Sequence, residues 1–181
     1  MIIFDCDGVL VDSEPLSMRV MLEILETAGL QLDVETAYAR FLGTSMKSIC
    51  AKLDREDGVR LDEAALEQMR ERLYATFRAE LQPTPGVAEA LDRLQRPFCV
   101  ASSSQPERIE LSLEITGLRH HFDGRIFSAS MVERGKPAPD LFLHAAKAMG
   151  AAPATALVVE DSPVGVAAAK AAGMRVIGFT G

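Results

Sequence analysis

An α/β fold, in which a Rossmann-like parallel sheet carries an inserted helical block, is predicted for this chain by three features of its sequence. A strand-like run opens it at 1–5, the stretch from Glu14 to Leu81 shows only helical periodicity, and from Val87 onward helices and strands alternate. Alternation of that kind sets parallel strands side by side with helices on both faces, so the helical stretch reads as an insertion after the first strand. The expected division is a core of 1–13 with 82–181 and a four-helix cap of 14–81.

Each element follows from local signals. The opening strand, MIIFD, is short and apolar. Ser13 is placed to cap a first helix over 15–28, whose Leu16, Val20, Ile24 and Leu25 form an apolar stripe and whose stop is Gly29. A second helix over 33–42 stops at Gly43, and a third over 46–55 is followed by Gly58. A fourth starts at the cap Asp62 and lines up Leu66, Met69, Leu73, Phe77 and Leu81. One stripe on each of four helices is what a small bundle needs to bury a seam of its own. The turn PTPG at 83–86 then changes the pattern. Helix 87–95 leads to strand 98–101, and helix 106–116, closed by Gly117, leads to strand 125–128. Helix 139–149, closed by Gly150, leads to strand 156–159, and helix 163–172, closed by Gly173, leads to strand 174–179. The chain ends directly after that strand and begins with barely a full one, which is compatible with trimming at either end.

Composition narrows the function classes. With 181 residues, 48% of them apolar, the chain can bury one full core and a small satellite beside it. A formal charge of -7 disfavours nucleic acid as a partner, which needs a basic face. No run approaches the roughly 18 apolar residues of a membrane span, and the N-terminus lacks the basic start of a signal peptide, so a cytoplasmic protein with no membrane partner is expected. Cys6, Cys50 and Cys99 are an odd number without CxxC spacing and read as small hydrophobes. Cys6 in particular lies between two aspartates that would raise its thiol pKa, which suits packing rather than reactivity. The scattered apolar residues outline no interface stripe, in keeping with a monomer or a weak homodimer.

In an open parallel sheet, ligands bind at the carboxyl ends of the strands. Strand one ends in Asp5-Cys6-Asp7-Gly8, strand two in Ser102-Ser103-Ser104, the segment after strand three holds Lys136, and strand four ends in Glu160-Asp161-Ser162. Acidic side chains gathered on one rim repel one another unless a cation stands among them, and hard oxygen ligands suit Mg²⁺. Hydroxyls, backbone N–H groups near a helix start and a lysine are the complements of a phosphate. A lone Asp at a strand-to-helix turn also serves as a cap, Ser103 and Ser104 could cap the helix at Pro106, and Lys136 could be a solvated loop charge. It is the four segments together that point to phosphoryl chemistry.

At these residues the chain resembles the haloacid dehalogenase superfamily. DCDGVLVDS is similar to its first motif, VASSS to its second, GKPAPD to its third and VVEDSPVG to its fourth, in order and over essentially the whole length. The resemblance implies Asp5 as the nucleophile that forms an aspartyl phosphate. It implies Asp7 as the acid and then the base, with its backbone carbonyl on the metal, and Asp161 as a direct Mg²⁺ ligand. Glu160 would ligate directly or through water. Ser102, Lys136 and the Ser103 backbone N–H would grip the phosphoryl oxygens.

Within the superfamily the chain is most similar to the subgroup of β-phosphoglucomutase and the sugar-phosphate phosphatases, 6-phosphogluconate phosphatase among them. There the helical insertion is a mobile cap that selects a small phosphorylated metabolite. The resemblance puts Thr44, Ser45 and Lys47, in the turn from Gly43 to Lys47, toward substrate, and hinges near Ser13 and at 84–86; Thr44 and Ser45 serve equally well as caps of the third helix. The mutase's assisting His and Arg correspond to Ser17 and Met46, with Lys47 and Arg40 nearby, so hydrolysis is favoured over isomerisation. A signalling receiver places its acceptor Asp on a different strand, and a true dehalogenase needs neither metal nor a second Asp at position 7.

Overall fold

The computed structural model describes residues 1–42 and 44–180. The described residues divide into two compact units, Met1–Ser13 with the chain from Leu81 onward, and Glu14–Glu80. Leu81, the last member of the fourth helical stripe, falls with the first of these: its helix ends at Glu80, and the leucine is itself buried.

The larger unit is built on five parallel strands: β1 (Ile2–Phe4), β2 (Phe98–Ser102), β3 (Ile126–Ser128), β4 (Leu157–Glu160) and β5 (Arg175–Gly178), in the order β3-β2-β1-β4-β5. The chain thus starts in the middle of the sheet. Register sets Phe4 beside Val100 on one side and Val159 on the other, so the carboxyl ends of β2, β1 and β4 are neighbours about 5 Å apart. The Asp5 N–H continues the ladder to the Val159 carbonyl at 2.9 Å.

Both sheet faces are covered, which is why the strands read as apolar runs rather than alternating ones. Toward one face Ile3, Cys99, Ala101 and Val158 pack with α7 (Asp140–Ala148) through Leu141, Phe142 and Ala145, and with α8 (Pro163–Ala171) through Ala168 and Ala169. With a side-chain period of two, Phe98 turns to the other face, where its ring meets Phe4 at 6.1 Å and Phe122 at 5.4 Å, both edge-on. The remaining helices of this unit are α5 (Val87–Arg93) and α6 (Pro106–Ile115), whose Ile109 and Leu113 are buried. β5 at the sheet edge is the most exposed strand, with Ile177 half in solvent.

The smaller unit holds α1 (Glu14–Thr27), α2 (Val34–Phe41), α3 (Met46–Glu56) and α4 (Glu63–Glu80). Asp33, Ser45 and Asp62 cap the last three, each side chain accepting a backbone N–H from Thr36, Ser48 and Ala65 at 2.8, 3.3 and 2.8 Å. Its core joins Ile24 and Leu25 to Phe41, Ile49 and Leu53, and it also takes in Met18 and Met21, which the stripe over 15–28 omitted. Gly43, the expected stop of the second helix, lies outside the described residues. No described helix is long and apolar enough to cross a membrane.

Two connections leave and re-enter the larger unit side by side. The Asp12 N–H donates to the Gln82 carbonyl and the Thr84 N–H to the Leu10 carbonyl, each at 3.0 Å, and Val11 pairs with Pro83 in antiparallel sense.

Candidate active site

The rim at the carboxyl ends of β2, β1 and β4 gathers the charges of the molecule's first strand with those of two segments more than a hundred residues away. Asp5 follows β1 directly and is buried, with Lys136 beside it: the ammonium donates to Asp5 Oδ1 and to Glu160 Oε1, each at 2.6 Å. Its side chain is only 3% exposed, so it is a structural cation of the rim and not a solvated loop charge. Burial alone would lower the lysine pKa, but the two carboxylates more than offset that and hold it above the ordinary value.

Glu160 is itself fixed on its other oxygen. The Ser162 N–H donates to Oε2 at 2.7 Å and the Ser162 hydroxyl at 3.0 Å, while the same hydroxyl accepts the Gly165 N–H at 3.1 Å to cap α8. A Cβ at Gly165 would run into the Glu160 carboxylate and displace it from its partners. Gly8, at φ 75°, stands in the same relation to Asp161.

Asp5, Glu160 and Asp161 each present a carboxylate oxygen, and these atoms lie within 4.8 Å of one another. Burial is the main force on Asp5. Together with Glu160 and Asp7 it outweighs the pull of Lys136, and the carboxyl is pushed up to about 7. Of the four rim carboxylates, Asp5 and Glu160 share Lys136 and Asp7 pairs with Arg108. The all-oxygen donor set of Asp5, Glu160 and Asp161 fits one hard divalent ion.

Asp7 points into a set of donors. Ser13 donates to Oδ1 at 2.6 Å, Ser104 to Oδ2 at 2.7 Å, and Arg108 to Oδ1 at 2.7 Å. Burial would raise its pKa, yet the Arg108 charge and the three hydrogen bonds reverse the direction and keep the carboxyl below its ordinary value. Arg108 is not among the residues that the sequence points to, and Ser13, which suits a cap for α1, also donates its hydroxyl to Asp7. Ser104, which also suits a cap for the helix at Pro106, donates to Asp7. Cys6 is buried between the aspartates, and burial first, then Asp7 and Asp5, push its thiol well up.

Of the remaining residues singled out in the sequence, Ser102 ends β2, is buried, and accepts the Ser104 N–H at 3.1 Å. Ser103 is exposed beside it. Thr44, Ser45 and Lys47 are exposed in the smaller unit at the start of α3, where Ser45 caps that helix. Arg40 is committed to Asp57, and to Glu56 at 3.5 Å, within that unit.

Comparison with known proteins gives a consistent assignment. The family model of haloacid dehalogenase-like hydrolases matches residues 1–173. The chain is 33% identical to a 6-phosphogluconate phosphatase of Escherichia coli K12, over 98% of the chain and 81% of that protein. It is 34% identical to a fructose-1-phosphate phosphatase of the same organism, over 97% of the chain and 94% of the relative. Among solved structures, a haloacid dehalogenase-like protein of unknown function from Agrobacterium tumefaciens superposes with a TM-score of 0.88 at 41% identity, covering 99% of the chain and 82% of that protein.

Proposed function

The chain belongs to the haloacid dehalogenase-like hydrolases, and from that membership we propose that it is a Mg²⁺-dependent phosphatase that hydrolyses a small sugar phosphate or phosphorylated sugar acid through an aspartyl phosphate on Asp5. It is a phosphoric monoester hydrolase by kinship with named phosphatases that it matches along nearly its whole length. The single observation that carries the mechanism is Asp5, buried at the end of the central strand, sharing Lys136 with Glu160 while Asp161 offers a further oxygen nearby.

In this reading an Asp5 carboxylate oxygen attacks phosphorus, the bond to the leaving oxygen breaks, and Asp7 supplies the proton that oxygen needs. Water then attacks the acyl phosphate, with Asp7 taking its proton, and phosphate is released with Asp5 restored. The three donors on Asp7 keep it ionised and ready as the base, and its turn as the acid requires them to let go. Lys136, the Ser102 hydroxyl and the Ser103 N–H balance the charge on the phosphoryl oxygens. Asp5, Asp161 and the Asp7 backbone carbonyl would hold the Mg²⁺. Glu160 anchors Lys136 and would ligate the ion directly or through water. Bound there, Mg²⁺ supplies Lewis-acid neutralisation of the transferring group. The smaller unit is the cap, with Thr44 and Lys47 as candidates for selecting the substrate.

Phosphate release from a panel of phosphorylated metabolites, with and without Mg²⁺, tests this. Release by the wild type that is lost in Asp5→Asn is expected. Conversion of glucose 1-phosphate to glucose 6-phosphate without release of phosphate would select the mutase reading instead.

A further inference from the structure

Arg108 is a cation placed where its own helix disfavours it. It is the third residue of α6, in the first turn, where the aligned peptide dipoles present a partial positive charge, and that position suits Asp or Glu. The guanidinium reaches away from the helix to Asp7, a residue 101 positions distant in the sequence. Helix stability does not explain an arginine there, and its partner on the rim does.

Its position relative to the chemistry is specific. Asp7 is the group proposed to face the leaving oxygen, so a guanidinium within one hydrogen bond of that carboxylate lies beside the atoms just beyond that oxygen. Lys136 does not extend so far, being enclosed between Asp5 and Glu160. The Arg108 side chain is 23% exposed, so an incoming molecule can meet it. A guanidinium fork also pairs with a planar carboxylate or a phosphate through two parallel hydrogen bonds.

We propose that Arg108 is a specificity-determining residue that binds a second oxyanion, carboxylate or phosphate, on the leaving-group side of the substrate, exchanging its contact with Asp7 for that ligand. The inference rests on the phosphatase reading above and deepens it. A doubly anionic substrate offers the guanidinium an oxyanion in place of the Asp7 carboxylate, so that contact is exchanged and not lost. A substrate whose remainder is neutral offers no such exchange and is disfavoured by comparison.

The test compares kcat/KM of the full chain with Mg²⁺ on three compounds: 6-phosphogluconate, fructose 1,6-bisphosphate and glucose 6-phosphate. The wild type is expected to favour one or both of the doubly anionic compounds. In Arg108→Ala that preference over glucose 6-phosphate falls by about 10- to 100-fold, the scale of a hydrogen bond to a charged group, and Arg108→Lys restores part of it. Any loss that comes from disturbing Asp7 lowers all three rates and cancels in the ratio. The compound whose rate falls furthest identifies the anion as carboxylate or phosphate. If Arg108→Ala does not fold, Arg108→Gln, which keeps most of the volume without the charge, is read in its place. An unchanged ratio in the variant overturns the proposal and leaves Arg108 as a positioning residue for Asp7. No phosphate release from any compound by the wild type overturns the phosphatase reading itself.

Discussion

Lys136 donates to Glu160 Oε1 at the same 2.6 Å at which it donates to Asp5 Oδ1, so one buried ammonium separates two carboxylates that would otherwise face each other. Lys136→Met keeps the length of the side chain and removes that charge. It is expected to destabilise the metal-free protein by about 3–5 kcal/mol near neutral pH, the cost of leaving buried charge uncompensated. Urea denaturation measures the loss, and a change within experimental error would show that the pair is not structurally significant.

The pH dependence of metal binding follows from Asp5. Its carboxyl is pushed up to about 7 in the fold, chiefly by burial, so between the ordinary carboxylate range and that value the folded state binds a proton that the unfolded chain does not. The stability tied to that proton is complete at low pH and is lost as pH rises through about 7. A divalent cation needs the ionised form and displaces the proton. Saturating Mg²⁺ should therefore raise the melting temperature clearly at about pH 8, by the equivalent of about 2.7 kcal/mol at a hundredfold excess over Kd. The shift should shrink at about pH 5.5, where the proton competes. Equal shifts at both values would rule out Asp5 as a ligand.

Asp7→Asn removes the proton donor and leaves the nucleophile. Steady-state turnover is expected to fall by about 10²- to 10⁴-fold, the usual contribution of general acid–base catalysis. With p-nitrophenyl phosphate, whose leaving group needs little protonation, the first step survives better than the second. A phosphoryl adduct on Asp5 should then accumulate and be seen by mass spectrometry of the intact protein. Absence of the adduct together with undiminished turnover would remove Asp7 from the mechanism.

Gly165→Ala tests the support behind Glu160. The added methyl meets the Glu160 carboxylate, which holds Lys136, so a stability loss of about 1–3 kcal/mol and reduced phosphate release are expected together. Gly178→Ala on the sheet edge, where an added Cβ meets nothing within 4 Å, serves as the control and should stay within about 0.5 kcal/mol of wild type.

Much of this was readable in the residues because the site follows a rule about strands. Asp5, Ser102 and Glu160 each close a run of apolar residues, and parallel strands aligned by their hydrophobic centres must bring such endings together. Lys136 was legible by its place after β3. Arg108 was not, since on a helical wheel it is one more polar position, and its partner lies on a distant strand end. The available signal was electrostatic, a cation in the first turn of a helix. Ser13 suits a cap from its local pattern, whereas its bond to Asp7 depends on tertiary placement that no local pattern displays. Met18 and Met21 escaped the stripe over 15–28 because thioethers fill whatever gaps the branched side chains leave.

The antiparallel pairing of Leu10–Asp12 with residues 82–84 gives the chain a clasp at the point where the smaller unit is spliced in. Both of its backbone hydrogen bonds and the bridge between Val11 and Pro83 lie within the larger unit. The chain's point of departure and its point of return are thereby held at one fixed spacing by bonds that belong to the unit carrying the reacting carboxylates.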